Sequence, residues 1–413
     1  MILEKRALIR ELKEKNREPL DVLIHVFCFF SVLLIGADKW GIDVGVNIRI
    51  DQFIILIFFL LMFFRTDLIL TQSFSLFFFV IFTFISAILS LNKILGFSYY
   101  FSIIYNVIFL FFSFSNYIRK YGLLRLINIL RLSLYVQFFL LILQYSLKVL
   151  LNYEIPILPA YGEYMGVPRF NLWFYEPSYL STYLSFFLMV SAYMVMIVGD
   201  KSYLFDLFVC FIMIFISTAS TGFVALAMVF VVVFYMWIKR GINLKKIITI
   251  LAMIVALAIF AIIFSDTLNV FVGRLFEGNL SGASGGRIGA WGETLKVWFE
   301  RPLFGVGPGN YGEYFGKDNS YVPSNITLEL MATLGLPATI CFYALTVSLV
   351  FKAIKINKKQ KTYLSSLLYA CALALIIFTI ILQINQGYLR LYHWMFFGIL
   401  SGGINSLKLQ KTK

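Results

Sequence analysis

Two carboxylates and four arginines stand where they could act on a phosphorylated substrate. Glu176 ends the aromatic run in PRFNLWFYEPSYLSTYL, seven residues after Arg169 and directly before Pro177. Proline fits the first turn of a helix, so Glu176 is expected at a helix N-terminus. Seven residues are two helical turns, so Arg169 and Glu176 would share a face if the stretch between them is helical. Glu329 follows Asn325 by one turn in PSNITLELMATLGL, again on one face. Arg287 opens GRIGAWGETLKVWFERPLFG, behind Gly285 and Gly286. Ile288, Trp291, Leu295 and Trp298 then recur at helical spacing, which reads as a short amphipathic helix lying on a membrane. Helix N-terminal amides beside a guanidinium suit a phosphate group. Arg274 adds charge upstream, and GVGPGNYG supplies backbone that can approach a ligand closely. Arg390 lies in QINQGYLRLYHW with Gln383, Asn385, Gln386 and His393, polar groups that are costly at membrane depth. Arginines of this kind neutralise a phosphate leaving group, and a carboxylate can take the proton of an attacking hydroxyl. The plainer alternatives are an interfacial Arg169–Glu176 pair with a belt of Trp173, Phe174 and Tyr175, a simple surface turn at the glycines, a snorkelling Arg390 and a packing role for His393.

These residues must be positioned by membrane helices. Hydrophobic residues make up 61% of the 413 and charged residues 14%, with 45 phenylalanines. Soluble domains run near 45–50% and about 25%. Apolar runs able to cross about 30 Å of hydrocarbon fall over 20–36, 52–64, 68–90, 98–116, 126–148, 177–198, 203–217, 220–238, 247–264, 325–351, 364–384 and 388–406. The expected fold is therefore an all-α polytopic membrane protein, a single transmembrane domain over 1–413 with about twelve spans. Residues 1–19 form a cytoplasmic N-terminal helix. Two large external loops, 149–176 and 265–323, contain short amphipathic helices. With both termini cytoplasmic, 23 of the 35 lysines and arginines fall inside, as the positive-inside rule requires. The net charge of +14 is thus topological and implies no nucleic-acid partner.

Several chemistries are disfavoured. Cys28, Cys210, Cys341 and Cys371 all fall within spans, without a CxxC, which argues against a disulfide framework or a zinc site. His25 stands alone on the first span and reads as structural. No nucleotide-binding fingerprint and no cytoplasmic domain are present. The two long loops do not fall at equivalent places in two halves, unlike a transporter built from repeats.

The order of RFNLWFYEPSYLSTYL, STASTGFVAL, GGRIGAWGETLKVWFERPLFGVGPGNYGEYF and SNITLELMATLGLPATICFYAL resembles the O-antigen polymerase and O-antigen ligase superfamily of bacterial surface-polysaccharide assembly. The resemblance is strong over roughly residues 165–350. It implies a membrane glycosyltransferase of the GT-C type in the bacterial inner membrane, with its site facing the periplasm or exterior. The implied substrate is a glycan on undecaprenyl pyrophosphate. No cofactor, nucleotide sugar or metal is expected. Membrane lipid surrounds the chain, and a chain-length regulator and a flippase are the protein partners the resemblance allows. Polymerases pass the glycan to the non-reducing end of another lipid-linked repeat unit; ligases pass it to lipid A–core. Family arginines in the two external loops hold the pyrophosphate, which maps onto Arg169 and Arg287. Arg274, Arg390, Asn325 and Trp291 are further candidates for binding pyrophosphate or glycan. Glu176 is the first candidate base and Glu329 the second. Ligases typically carry a histidine where this chain reads Ser324–Asn325, which favours the polymerase. A lipid-linked oligosaccharide flippase is the reading from another class; it would line a cavity within its spans with charge, whereas this chain concentrates charge in its external loops.

Overall fold

The computed structural model describes residues 4, 18–43, 47–66, 73–164, 167–239, 241, 287–317 and 322–409. Most of the expected helix over 1–19, the span over 247–264 and Arg274 lie outside them. The described chain is dominated by helices: α1 (Pro19–Leu33), α2 (Ile50–Arg65) and α3 (Phe74–Ile88), then α4 (Lys93–Tyr121), α5 (Leu123–Leu151), α6 (Pro177–Val198), α7 (Leu204–Ser217) and α8 (Ser220–Ile238). After these come α9 (Arg287–Glu300), the single turn α10 (Tyr311–Tyr314), α11 (Ile326–Leu334), α12 (Leu336–Gln360), α13 (Tyr363–Ile384) and α14 (Leu391–Leu409). Six of them, α4, α5, α6, α8, α12 and α13, are long and apolar enough to cross a membrane. That is the pattern of a polytopic membrane protein.

Small and hydroxylated residues bring these helices together, as expected where apolar surface alone gives no drive to associate. Helix α6 packs against α7, α8 and α13 and is buried along nearly its whole length. The Ser181 and Ser217 hydroxyls bond at 2.8 Å, and a Cβ on Gly222 would fall 2.9 Å from the Ser181 oxygen. Helix α14 lies on α4 through a Gly-x-x-x-Gly pair: a Cβ on Gly398 would come within 2.7 Å of the Phe111 carbonyl, and one on Gly402 within 2.6 Å of Ser115. Large apolar side chains such as Phe64, Phe74, Phe101 and Phe139 remain exposed on outer faces, as a lipid-facing surface requires.

Two sequence expectations need correction. Beyond the end of α5 at Leu151, the first external loop carries no helix among its described residues. Instead, β3 (Gly162–Tyr164) pairs antiparallel with β4 (Val167–Arg169), Gly162 opposite Arg169; an earlier pair, β1 (Gly41–Asp43) with β2 (Asn47–Arg49), is also antiparallel. Arg169 is therefore not on a helical face with Glu176. A proline at position 168 and turns over 172–176 exclude a helix there. The Trp173 and Phe174 rings are buried under the loop, and only Tyr175 of the aromatic run is exposed. The expected span 325–351 is likewise broken. Gly335, at φ 82° and ψ 174°, separates the nine-residue α11, too short to cross a bilayer, from α12. A Cβ on Gly335 would lie 2.1 Å from the Leu303 carbonyl oxygen. Gly335→Ala is expected to cost about 1–3 kcal/mol from backbone conformation alone, with the clash added. A thermal midpoint equal to wild type in detergent would show that this break is not required.

Candidate active site

Several helix ends and loops enclose a cavity of about 430 Å³. Its walls bring together Glu176, Glu329, Arg390 and Arg49, with Tyr99, Tyr175, Tyr311, Tyr388 and Gln386 between them. The two carboxylates and Arg390 are separated by more than 200 residues of sequence between first and last, so the fold assembles the group.

Each side chain has a local reason for its place. Glu176 is the N-cap of α6, with Pro177 opening the helix, and its Oε2 accepts a hydrogen bond from Ser178 Oγ at 2.9 Å. The run before it is anchored by Asn171, whose side-chain amide donates to the Phe174 and Tyr175 carbonyls. Lys39 Nζ donates to Asn171 Oδ1 at 3.1 Å, and the Trp40 and Trp173 rings meet at 5.6 Å. Glu329 is carried by α11. The Asn325 side chain caps that helix, accepting from Leu328 N at 3.0 Å, and donates to the Gln383 carbonyl at 2.8 Å. Arg390 precedes α14.

The GVGPG block locks α11 in place. Val306 N and Gly307 N donate to the Ala332 and Thr333 carbonyls at 2.9 and 3.0 Å, and Leu91 N donates to the Val306 carbonyl at 3.1 Å. Gly307, at φ 104°, has Ser90 where a Cβ would go, and Gly309, at φ 71°, lies against the Tyr99 ring. The glycines at 305 and 307 thus allow close approach of protein backbone and side chains, and Gly309 is the one that lines the cavity.

A charge network supports the arginines. Arg390 donates to Asp38 Oδ2 at 2.8 Å, and its guanidinium lies 3.8 Å from the centre of the Tyr179 ring. Asp38 also pairs with Arg49, which forks onto Asp51 with two bonds of 3.1 Å. Asp51 is fully buried and accepts from Gly36 N at 3.2 Å. One carboxylate therefore bridges the two cavity arginines. A buried charge is tolerated only when paired in this way.

Glu329 differs from Glu176 in its surroundings. It is 6% exposed, and its Oε2 has no hydrogen-bond partner. Burial pushes its carboxyl up to about 8, against the opposing influences of the Arg390 charge and a hydrogen bond from the Gly387 backbone. Glu329 is therefore largely neutral near pH 7.

Arg169 is not among the described lining residues of this cavity. It ends β4, its guanidinium 5.3 Å from the centre of the Tyr161 ring. Burial raises the Tyr161 pKa, as does the Glu176 carboxylate, and the Arg169 charge opposes them, so the three share one electrostatic environment. Trp291 donates to the Pro323 carbonyl at 2.9 Å, tying α9 to the segment that leads into α11. Arg287 is the first residue of α9. Asn325 and Trp291 do not line the cavity. Sequence reasoning overlooked Arg49, Asp38 and Tyr99. The signal was present in ADKWGIDVGVNIRID, where five charged residues crowd a short link between two apolar runs.

Residues 205–343 match the model of a family described as O-antigen ligase. The matched segment runs from α7 into α12 and includes Arg287, Trp291, Asn325 and Glu329. It supports the resemblance to the O-antigen polymerase and ligase superfamily. No curated protein matches the chain.

Proposed function

We propose that the chain is an O-antigen or capsule repeat-unit polymerase, a membrane glycosyltransferase that passes a growing glycan from undecaprenyl pyrophosphate to the non-reducing end of another lipid-linked repeat unit. The observation that carries this reading is the cavity in which two carboxyl groups face two arginines joined through Asp38. An acceptor hydroxyl attacks the anomeric carbon, the bond from that carbon to the pyrophosphate oxygen breaks, and the hydroxyl proton passes to a carboxylate. Undecaprenyl pyrophosphate leaves with the bonding electron pair. Arg390 and Arg49 take the pyrophosphate charge, with Arg169, Arg274 and Arg287 completing the clamp from the external loops. Glu176, at the helix mouth, is the base. The tyrosines offer faces for sugar rings.

Glu329 takes the complementary part in this proposal. Neutral at pH 7, it donates a hydrogen bond to a pyrophosphate oxygen. Two carboxyl groups held in different environments divide acid and base roles in this manner. Ionisation as pH rises removes the donor and places a negative charge beside the leaving group, so turnover should fall above about pH 8. Glu329→Gln stays neutral at every pH and keeps a donor. It should retain turnover within about tenfold of wild type and lose the alkaline limb, whereas a Gln variant inactive at pH 7 would return the base role to Glu329.

The proposed topology has twelve spans, the eleven described helices α1–α8 and α12–α14 together with residues 247–264, and both termini in the cytoplasm. Reporter fusions after Lys201 and Lys361 should read as cytoplasmic, and those at Tyr161 and Gly309 as external. A cytoplasmic signal at Gly309 would remove the site from its substrate. The ligase reading keeps the family description on its side, but Ser324–Asn325 stands where ligases typically carry a histidine. Deletion separates the readings through the surface glycan. A single-repeat product means polymerase, loss of attached polymer with lipid-linked polymer accumulating means ligase, and loss of even the single repeat means flippase.

A further inference from the structure

A second cavity, of about 450 Å³, opens at the other end of the bundle. Tyr99 of α4 lines the candidate active site, and Arg119 near the end of the same helix lines this one. Along a continuous helix that separation is about 30 Å, the thickness of a bilayer's hydrocarbon. The cavity lies between α3, α4, α12 and α14. It presents three cations, Arg119, Lys352 and Lys408, and no carboxylate among its described lining residues. Ser115, Asn116 and Ser401, all buried, supply polar groups beside them. The start of α3, capped by Ser73, adds the positive end of a helix dipole. Phe74 and Phe77 of α3 and Val347 and Phe351 of α12 are exposed on the helices that flank the opening.

We propose that this cavity holds the phosphate of an anionic phospholipid from the leaflet opposite the candidate active site, with its acyl chains along α3 and α12. Three cations without a carboxylate select for negative charge. Basic pockets between membrane helices bind lipid headgroups in this way. The apolar flanks favour a lipid over free phosphate, because a soluble anion gains nothing from them. The role is distinct from the glycan reaction and is tested independently of activity.

The full-length protein, purified in a mild detergent with phosphatidylglycerol and phosphatidylcholine supplied equally, is examined by native mass spectrometry. Wild type should retain one phosphatidylglycerol in preference to phosphatidylcholine, and the triple variant Arg119→Gln, Lys352→Gln, Lys408→Gln should lose that preference by about 10–100-fold. Lys352 and Lys408 are exposed, so Lys352→Gln with Lys408→Gln provides a second variant expected to fold, with a smaller loss in the same direction. Equal retention of the two lipids by wild type, or unchanged retention by the double variant, would overturn the proposal. So would release of the bound lipid by millimolar inorganic phosphate, which would make the site one for the free anion.

Discussion

Glu176→Gln is expected to lower the rate of glycan transfer by about 10²–10⁴-fold at saturating donor, the usual contribution of a positioned general base. The substitution keeps the shape of the side chain and an oxygen that can accept from Ser178 Oγ, so α6 should still start at Pro177. Protein yield and binding of the lipid-linked donor should match wild type. The competing account makes Glu176 an electrostatic partner of Arg169 and Tyr161 that holds the loop. On that account the Gln variant loses donor affinity or protein level, and turnover at saturation survives. Turnover and donor binding measured on one purified preparation separate the two.

Arg390→Ala should reduce kcat/KM by about 10²–10³-fold, the loss typical when one preorganised group facing a developing negative charge is removed. Arg390→Lys should fail almost as badly. The guanidinium stacks on Tyr179 and reaches Asp38 at the same time, and a point charge on a flexible stem does neither with the same geometry. Asp38 keeps Arg49 as a partner in both variants, so the loss should appear in kinetics more than in folding. A Lys variant with wild-type kcat/KM for the pyrophosphate-linked donor would remove Arg390 from the clamp.

The membrane class and most helices were legible because long apolar runs have few alternatives to crossing lipid. Three features of the site were not. Arg169 ends a β-strand rather than lying in a helix, because Pro168 and the turns over 172–176 oppose the helix on which the seven-residue spacing to Glu176 would have given a shared face. The break at Gly335 was hidden within a continuous apolar pattern, since periodicity does not report a residue whose role is to pass close to the Leu303 carbonyl. Arg49 and Asp38 gain their meaning only when the link after α1 folds against Arg390, a contact between residues 352 positions apart. Glu176, Glu329 and Arg390 could be singled out because each combines a charged group with a helix start or membrane depth. Their meeting in one cavity is a property of the fold.

The most direct test supplies the purified full-length protein, in lipid nanodiscs, with the undecaprenyl-pyrophosphate-linked repeat unit alone and resolves the products by length. Polymerase action predicts a ladder of lipid-linked glycans that lengthens with time and release of undecaprenyl pyrophosphate in proportion to the bonds formed. Absence of any product longer than one repeat, with transfer appearing only when lipid A–core is added, would contradict the account.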